Sequence, residues 1–166
     1  FASYFGYPVH RPRTYVSTGF QGTLGFGFQT ALGVKAAHPD RDVVSITGDD
    51  GFLFGVQELA TAVQYRLGLV TVVFNNQAYG NVRRDQEARY GNRLIGADRH
   101  NPDFPALARS FGLEGTTVTS AADLHAALAR ALEAARATSL PALIEVKVAR
   151  GSEASPWPFI HPVKAY

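Results

Sequence analysis

Three short apolar segments stand out along the chain: Val43–Thr47, Leu69–Phe74 and Ala142–Val148. Each is rich in β-branched residues, and none alternates cleanly between apolar and polar positions. That is the pattern of parallel strands covered on both faces; a half-exposed strand would alternate with period two. Thr14–Ser17 and Thr116–Thr119 carry weaker versions of the signal. Helical spacing lies between these segments. Gly22–Ala37 is small and apolar, with Gly25, Gly27 and Gly33 allowing close approach to neighbours. Val56–Arg66 places Val56, Leu59, Ala60 and Val63 on one face. Ala106–Phe111 runs into Gly112, a helix-ending glycine. Ala121–Ala137 is the cleanest helix, with Leu124, Leu128, Ala131, Leu132 and Ala135 as its stripe. Ser120 is placed to cap it, and Asp123 follows three residues on. Strands alternating with helices predict an α/β fold, a three-layer α/β/α domain with a mostly parallel central sheet and right-handed crossovers. Residues 1–166 read as a single domain. Residues 151–166, with Pro156, Pro158 and Pro162, read as an extended C-terminal tail that packs on something.

Composition narrows the picture. The chain has 166 residues, 46% of them hydrophobic and 18% charged, which is globular composition. No apolar run approaches the roughly 20 residues of a membrane helix, so no membrane partner is expected. Cysteine is absent, which excludes disulfides and thiolate metal sites and fits a cytoplasmic protein. Methionine is absent too, so position 1 reads as the start of a processed chain or fragment. The formal charge of +2 is spread out. The Arg11/Arg13 and Arg83/Arg84 pairs read as surface charge, and no nucleic-acid partner is expected. His10, His38, His100, His125 and His161 show no metal-binding spacing. Glu58 reads as a helix-face residue.

The chemistry lies where strands end. Val43–Thr47 runs into Gly48-Asp49-Asp50-Gly51, and Leu69–Phe74 runs into Asn75-Asn76-Gln77-Ala78-Tyr79-Gly80. In an open parallel sheet both turns fall at the carboxyl edge, where ligands bind. If the strands are neighbours, roughly 5 Å apart, one ion can touch both turns. Asp49 offers a carboxylate, Asn76 an amide oxygen and Ala78 a backbone carbonyl. These are hard oxygen donors, suited to Mg²⁺ or Ca²⁺. Gly48 and Gly51 let backbone amides approach an anion, and a helix is expected to open at Phe52. The predicted ligand is a metal-bridged phosphate or diphosphate.

These motifs resemble a known family. Gly48-Asp49-Asp50-Gly51-Phe52, then Val56-Gln57-Glu58-Leu59-Ala60-Thr61-Ala62, then Asn75-Asn76, is similar to the thiamine diphosphate motif of the acetolactate synthase and 2-keto acid decarboxylase superfamily. The family pattern is Gly-Asp-Gly followed, after somewhat under thirty residues, by Asn-Asn. Ser17–Gly27 resembles its glycine-rich stretch, and Asn101-Pro102-Asp103-Phe104 a further recurring segment. The likeness runs from about Arg11 to Val148. It implies the C-terminal diphosphate-binding domain of a thiamine diphosphate enzyme, with Asp49, Asn76 and the Ala78 carbonyl as Mg²⁺ ligands. Asp50, Gly51 and Phe52 would touch the diphosphate through backbone amides. Tyr79, Gly80 and Asn81 would line the same pocket. Leu24 would be the apolar wedge that bends the cofactor, with Gly22 at its pyrimidine end.

The resemblance also implies what the chain lacks. The activating glutamate of the family sits in a separate pyrimidine-binding domain, usually on another subunit, so no catalytic residue is expected here. That domain, a 2-keto acid substrate and a homodimer or homotetramer are the implied partners. Two positions depart from the pattern. Asp50 stands where the family usually has glycine or another small residue, and it is expected to turn away from the diphosphate. Asp85 stands where acetolactate synthases carry tryptophan, which points to a broader carboligase or decarboxylase. The alternative function is a degenerate, non-catalytic domain with an oligomerisation or regulatory role. An unrelated dinucleotide-binding domain would need Gly-x-Gly-x-x-Gly, which Gly19-Phe20-Gln21-Gly22 does not match.

Overall fold

The structure is a computed structural model that describes residue 3, residues 6–19 and residues 22–152. Four strands form one sheet in the order β1-β2-β4-β3: β1 (Val44–Gly48), β2 (Val70–Asn75), β3 (Glu114–Val118) and β4 (Ala142–Lys147). Every pairing is parallel. The three strong strand signals therefore fall where the pattern put them, within a residue or so. The weak signal at Thr116–Thr119 becomes β3, starting earlier. Thr14–Ser17 forms no strand.

The helices are α1 (Phe26–Ala37), α2 (Asp49–Leu53), α3 (Leu59–Gln64), α4 (Gly80–Arg89), α5 (Phe104–Ser110) and α6 (Ala121–Thr138), with a 3₁₀ turn at Val56–Glu58 before α3. The expected helix at Gly22–Ala37 begins only at Phe26, because Gly25 caps it in the left-handed region at φ 89°. Ser120 caps α6 as expected, its hydroxyl accepting from the Asp123 amide at 3.1 Å. Of residues 151–166, only Gly151 and Ser152 lie among the described residues, so the tail falls outside them.

Helices cover both faces of the sheet. On one face Phe28, Leu32, Phe52, Leu59, Phe104 and Leu143 form the larger core. On the other, α6 sets Ala127 and Ala135 against Val70, Val72, Ile144 and Val146. Phe52, fully buried, meets Phe28 edge-on at 5.2 Å between ring centroids and Phe104 at 5.9 Å. One ring thus joins the first helix after β1 to α1 and α5. The register finishes the positioning. Gly48 pairs with Phe74, so Asp49 sits level with Asn75 at the carboxyl ends of neighbouring strands.

Candidate functional site

Both turns meet as the strand order requires. Asp49 is 3% exposed, and its Oδ2 accepts from the Gln77 amide at 2.9 Å. Its Oδ1 accepts from the Asp50 amide at 3.0 Å. Asn76 Oδ1 accepts from the Ala78 amide at 3.0 Å, which folds the second turn back on itself. Helix α2 begins at Asp49 itself, three residues before the expected Phe52, and spans only five residues. The Asp50 amide, expected to face a diphosphate, is here spent on Asp49.

A strap with little signature in the sequence pattern closes the site. Residues 97–101 run antiparallel to the second turn, with a bridge between Ala78 and Asp98. The Tyr79 amide donates to the Ala97 carbonyl at 2.8 Å, and the Arg99 amide to the Gln77 carbonyl at 2.9 Å. In this pattern the Ala78 carbonyl faces away from the strap. Asn101 Nδ2 donates to Asp49 Oδ2 at 2.6 Å and to Asn75 Oδ1 at 2.9 Å. Arg99 Nε pairs with Asp50 Oδ1 at 3.1 Å, and its guanidinium lies 5.1 Å from the centre of the Tyr79 ring. The Asn-Pro-Asp-Phe likeness pointed at Asn101; nothing in the sequence pattern pointed at Arg99.

The remaining expected residues flank this centre. Leu24 is 48% exposed, so it is not a core leucine. A methyl group added to Gly51 would lie 3.9 Å from Leu24 Cδ2 and 3.0 Å from Thr47 Oγ1. Leu24 and the Gly51 turn are therefore neighbours, and glycine keeps the space between them open. Gly22, at φ 57°, and Gly48 are exposed. Tyr79, Gly80 and Asn81 are half-buried at the start of α4. Arg83 and Arg84, expected as surface charge, are half-buried instead. Arg83 pairs with Glu87 and Asp98, and Arg84 Nη2 donates to Asn81 Oδ1 at 2.7 Å. Glu58 accepts from the Thr61 hydroxyl at 2.6 Å, a local helix contact.

The electrostatics are unusual for so small a volume. Burial pushes the Asp49 carboxyl above the usual 3.8, against the hydrogen bonds from Asp50, Gln77 and Asn101. Burial also raises Asp50, helped by the Asp49 charge beside it and opposed by Arg99. Asp50 Oδ2 is buried with no hydrogen-bond partner. All donors to Asp49 are neutral, and among the described residues no basic side chain pairs with it. A buried carboxylate without a cation is costly, which suits a metal-binding position. Among the described residues no three His, Cys, Asp or Glu side chains gather as a metal site. A metal here would draw on amide and carbonyl oxygens beside Asp49, the donor set of a hard cation.

Raised carboxyl pKa values have a definite sign. The native state holds protons that the unfolded chain has already released above 3.8. The contribution of these two groups to stability should therefore rise as pH falls through their folded-state values toward 3.8. Denaturant midpoints of metal-free protein, stepped in pH, should show this gain, and the double substitution Asp49→Asn/Asp50→Asn should remove it. Equal pH profiles for the two proteins would refute the assignment.

Comparison with known proteins adds a second line. Residues 1–146 match the family model for the thiamine pyrophosphate enzyme, C-terminal TPP binding domain. The acetolactate synthase large subunit of Parasynechococcus marenigrum (strain WH8102) is 42% identical over 156 residues, which is 93% of this chain and 24% of that protein. Acetolactate synthase isozyme 3 large subunit of Escherichia coli (strain K12) is 39% identical over 131 residues, 78% of this chain and 23% of that protein. Among solved structures, the thiamine diphosphate-dependent 4-hydroxybenzoylformate decarboxylase of Rhodococcus jostii RHA1 matches with a TM-score of 0.70 at 35% identity. The match covers 80% of this chain and 24% of that one. The chain thus spans about a quarter of the length of such relatives. No helix among the described residues is long and apolar enough to cross a membrane.

Proposed function

Because the chain belongs to the thiamine pyrophosphate enzyme family, as its C-terminal TPP-binding domain, we propose that its two strand-end turns form a Mg²⁺ clamp for the cofactor's diphosphate. Asp49, the Asn76 amide oxygen and the Ala78 carbonyl hold the ion; Gly48, Gly51 and Phe52 border the diphosphate; Tyr79, Gly80 and Asn81 line the far side. The observation that carries this reading is the direct contact between the turns, Gln77 amide to Asp49 carboxyl at 2.9 Å, at a buried carboxyl with which no basic side chain among the described residues pairs. Leu24, half-exposed next to Gly51, is the wedge under the bent cofactor, with Gly22 beside it.

When bound, the cofactor would supply a nucleophilic carbon and an electron sink. The chain's own residues position and do not activate. The whole protein is a carboligase or decarboxylase acting on 2-keto acids, and a pyrimidine-binding domain from elsewhere in the assembly brings the activating glutamate. Residues 1–166 are one domain of it. Titration calorimetry of the full-length protein with thiamine diphosphate, with and without Mg²⁺, tests the clamp. Binding that ignores Mg²⁺ would remove it.

Asp50, together with the absence of the glutamate-bearing domain from this chain, motivates the degenerate alternative. Its pairing with Arg99 directs the charge toward the strap and neutralises it in part. Asp50→Gly should therefore change thiamine diphosphate affinity by less than about tenfold, the scale of a screened, partly exposed pair. A hundredfold gain would mean that Asp50 opposes the diphosphate.

A further inference from the structure

Strand β4 carries one acidic residue, Glu145, in the middle of an apolar run. It is 3% exposed, and none of the described basic side chains pairs with it. A buried carboxyl of this kind costs stability compared with an apolar residue, so a strand interior that keeps one calls for another explanation. Its hydrogen bonds supply it. Glu145 Oε1 accepts from Asn75 Nδ2 at 2.6 Å, and Oε2 accepts from the Thr117 hydroxyl at 2.7 Å. Asn75 is 5% exposed and ends β2, level with Asp49.

The contact fixes which way Asn75 faces. With its amino group turned to Glu145, its carbonyl oxygen accepts from the Gln77 amide at 3.1 Å and from Asn101 Nδ2 at 2.9 Å. These same two donors also serve Asp49 Oδ2, at 2.9 and 2.6 Å. Reversing Asn75 would set its amino group against two donors. An acceptor at position 145 therefore selects the amide orientation that aims Gln77 and Asn101 at Asp49.

We infer that Glu145 is a positioning residue: through Asn75, Gln77 and Asn101 it holds the Asp49 carboxyl in the orientation that binds the metal. This rests on the Mg²⁺ clamp proposed above. Partners behind a metal ligand commonly change metal affinity by about 10- to 100-fold when lost. Glu145→Leu removes the acceptor at similar volume. Glu145→Ala does so while leaving room for water, and covers the case in which leucine does not fold. Glu145→Gln keeps an acceptor for Asn75 and can donate to the Thr117 hydroxyl.

The test is calorimetry on the full-length protein, reading the Mg²⁺ half-saturation of thiamine diphosphate binding and the cofactor Kd at saturating Mg²⁺. The leucine or alanine variant should raise the Mg²⁺ half-saturation by about 10- to 100-fold. Its cofactor Kd at saturating Mg²⁺ should stay within about twofold, and the glutamine variant should stay within about threefold of the parent in both. If the leucine and alanine variants keep the parent's Mg²⁺ half-saturation, Glu145 does not position Asp49. The same conclusion follows if glutamine is impaired as badly as leucine, or if only the melting temperature moves. A parent protein whose cofactor binding ignores Mg²⁺ overturns the clamp itself, and this inference with it.

Discussion

Replacing Asp49 with alanine should weaken Mg²⁺-dependent thiamine diphosphate binding by more than about 100-fold, beyond the usual effect of a residue behind the ligand. The residue is the only carboxylate proposed to touch the ion, so the variant has nothing to offset the metal's charge. It also empties the acceptor on which the Asp50, Gln77 and Asn101 donors converge. Two losses therefore coincide: the ligand goes, and the turns lose the atom that joins them. Asp49→Asn separates the two, since an amide oxygen in the place of Oδ2 can still accept from Gln77 and Asn101, and only the Asp50 amide loses its acceptor. It should bind cofactor about as poorly as alanine while unfolding at a higher denaturant concentration. Calorimetry with thiamine diphosphate and Mg²⁺ reads the first effect and denaturant midpoints read the second. Retained Mg²⁺-dependent affinity in either variant would show that the ion sits elsewhere.

Phe52→Ala should have the largest effect on stability, a loss of about 3–5 kcal/mol, as for other fully buried aromatic truncations. Phe52 is fully buried, and its ring packs edge-on against both Phe28 and Phe104. Such aromatic pairs add to the burial itself. The cavity would open beneath Asp49 and Asp50, in the helix that carries them. The loss should appear as a lower denaturant midpoint with an unchanged slope, together with weaker cofactor binding. Phe52→Leu should recover most of the stability. A drop below about 1 kcal/mol for alanine would mean that the surrounding helices close over the gap.

The meeting of the two turns was legible because its signals are local. Asp49 and Asn76 each follow a β-branched run, and parallel strands must release their turns at one edge. The strap was not legible. Ala97–Asn101 has no periodicity, and its work is done by two backbone hydrogen bonds and two polar side chains that only the folded chain brings near β1 and β2. Helix α4 escaped for a related reason. Gly80–Arg89 has no apolar stripe; contacts such as Arg83 with Glu87 and Asp98, and Gln86 with the Ile95 backbone, hold it instead. Thr14–Ser17 misled in the opposite sense, since β-branched residues mark a strand only where a neighbour exists to pair with it. Glu145 was visible as a charge inside a strand signal. The sequence alone could not say that Asn75 and Thr117 are its partners, because they come from the strands on either side of β4.

The hydrogen bonds to Asp49 arrive from Gln77 in the second turn and from Asn101 in the strap, 28 and 52 positions along the chain. Contacts that distant form only after long loops have closed, and loop closure must come before its reward. A chain that has paired β1 with β2 but not laid down residues 97–101 has Asp49 without the Asn101 donor that helps to orient it. Cofactor uptake would then require both closures to be complete. By mass action, a ligand that binds only the completed site would hold more of this protein in its finished form.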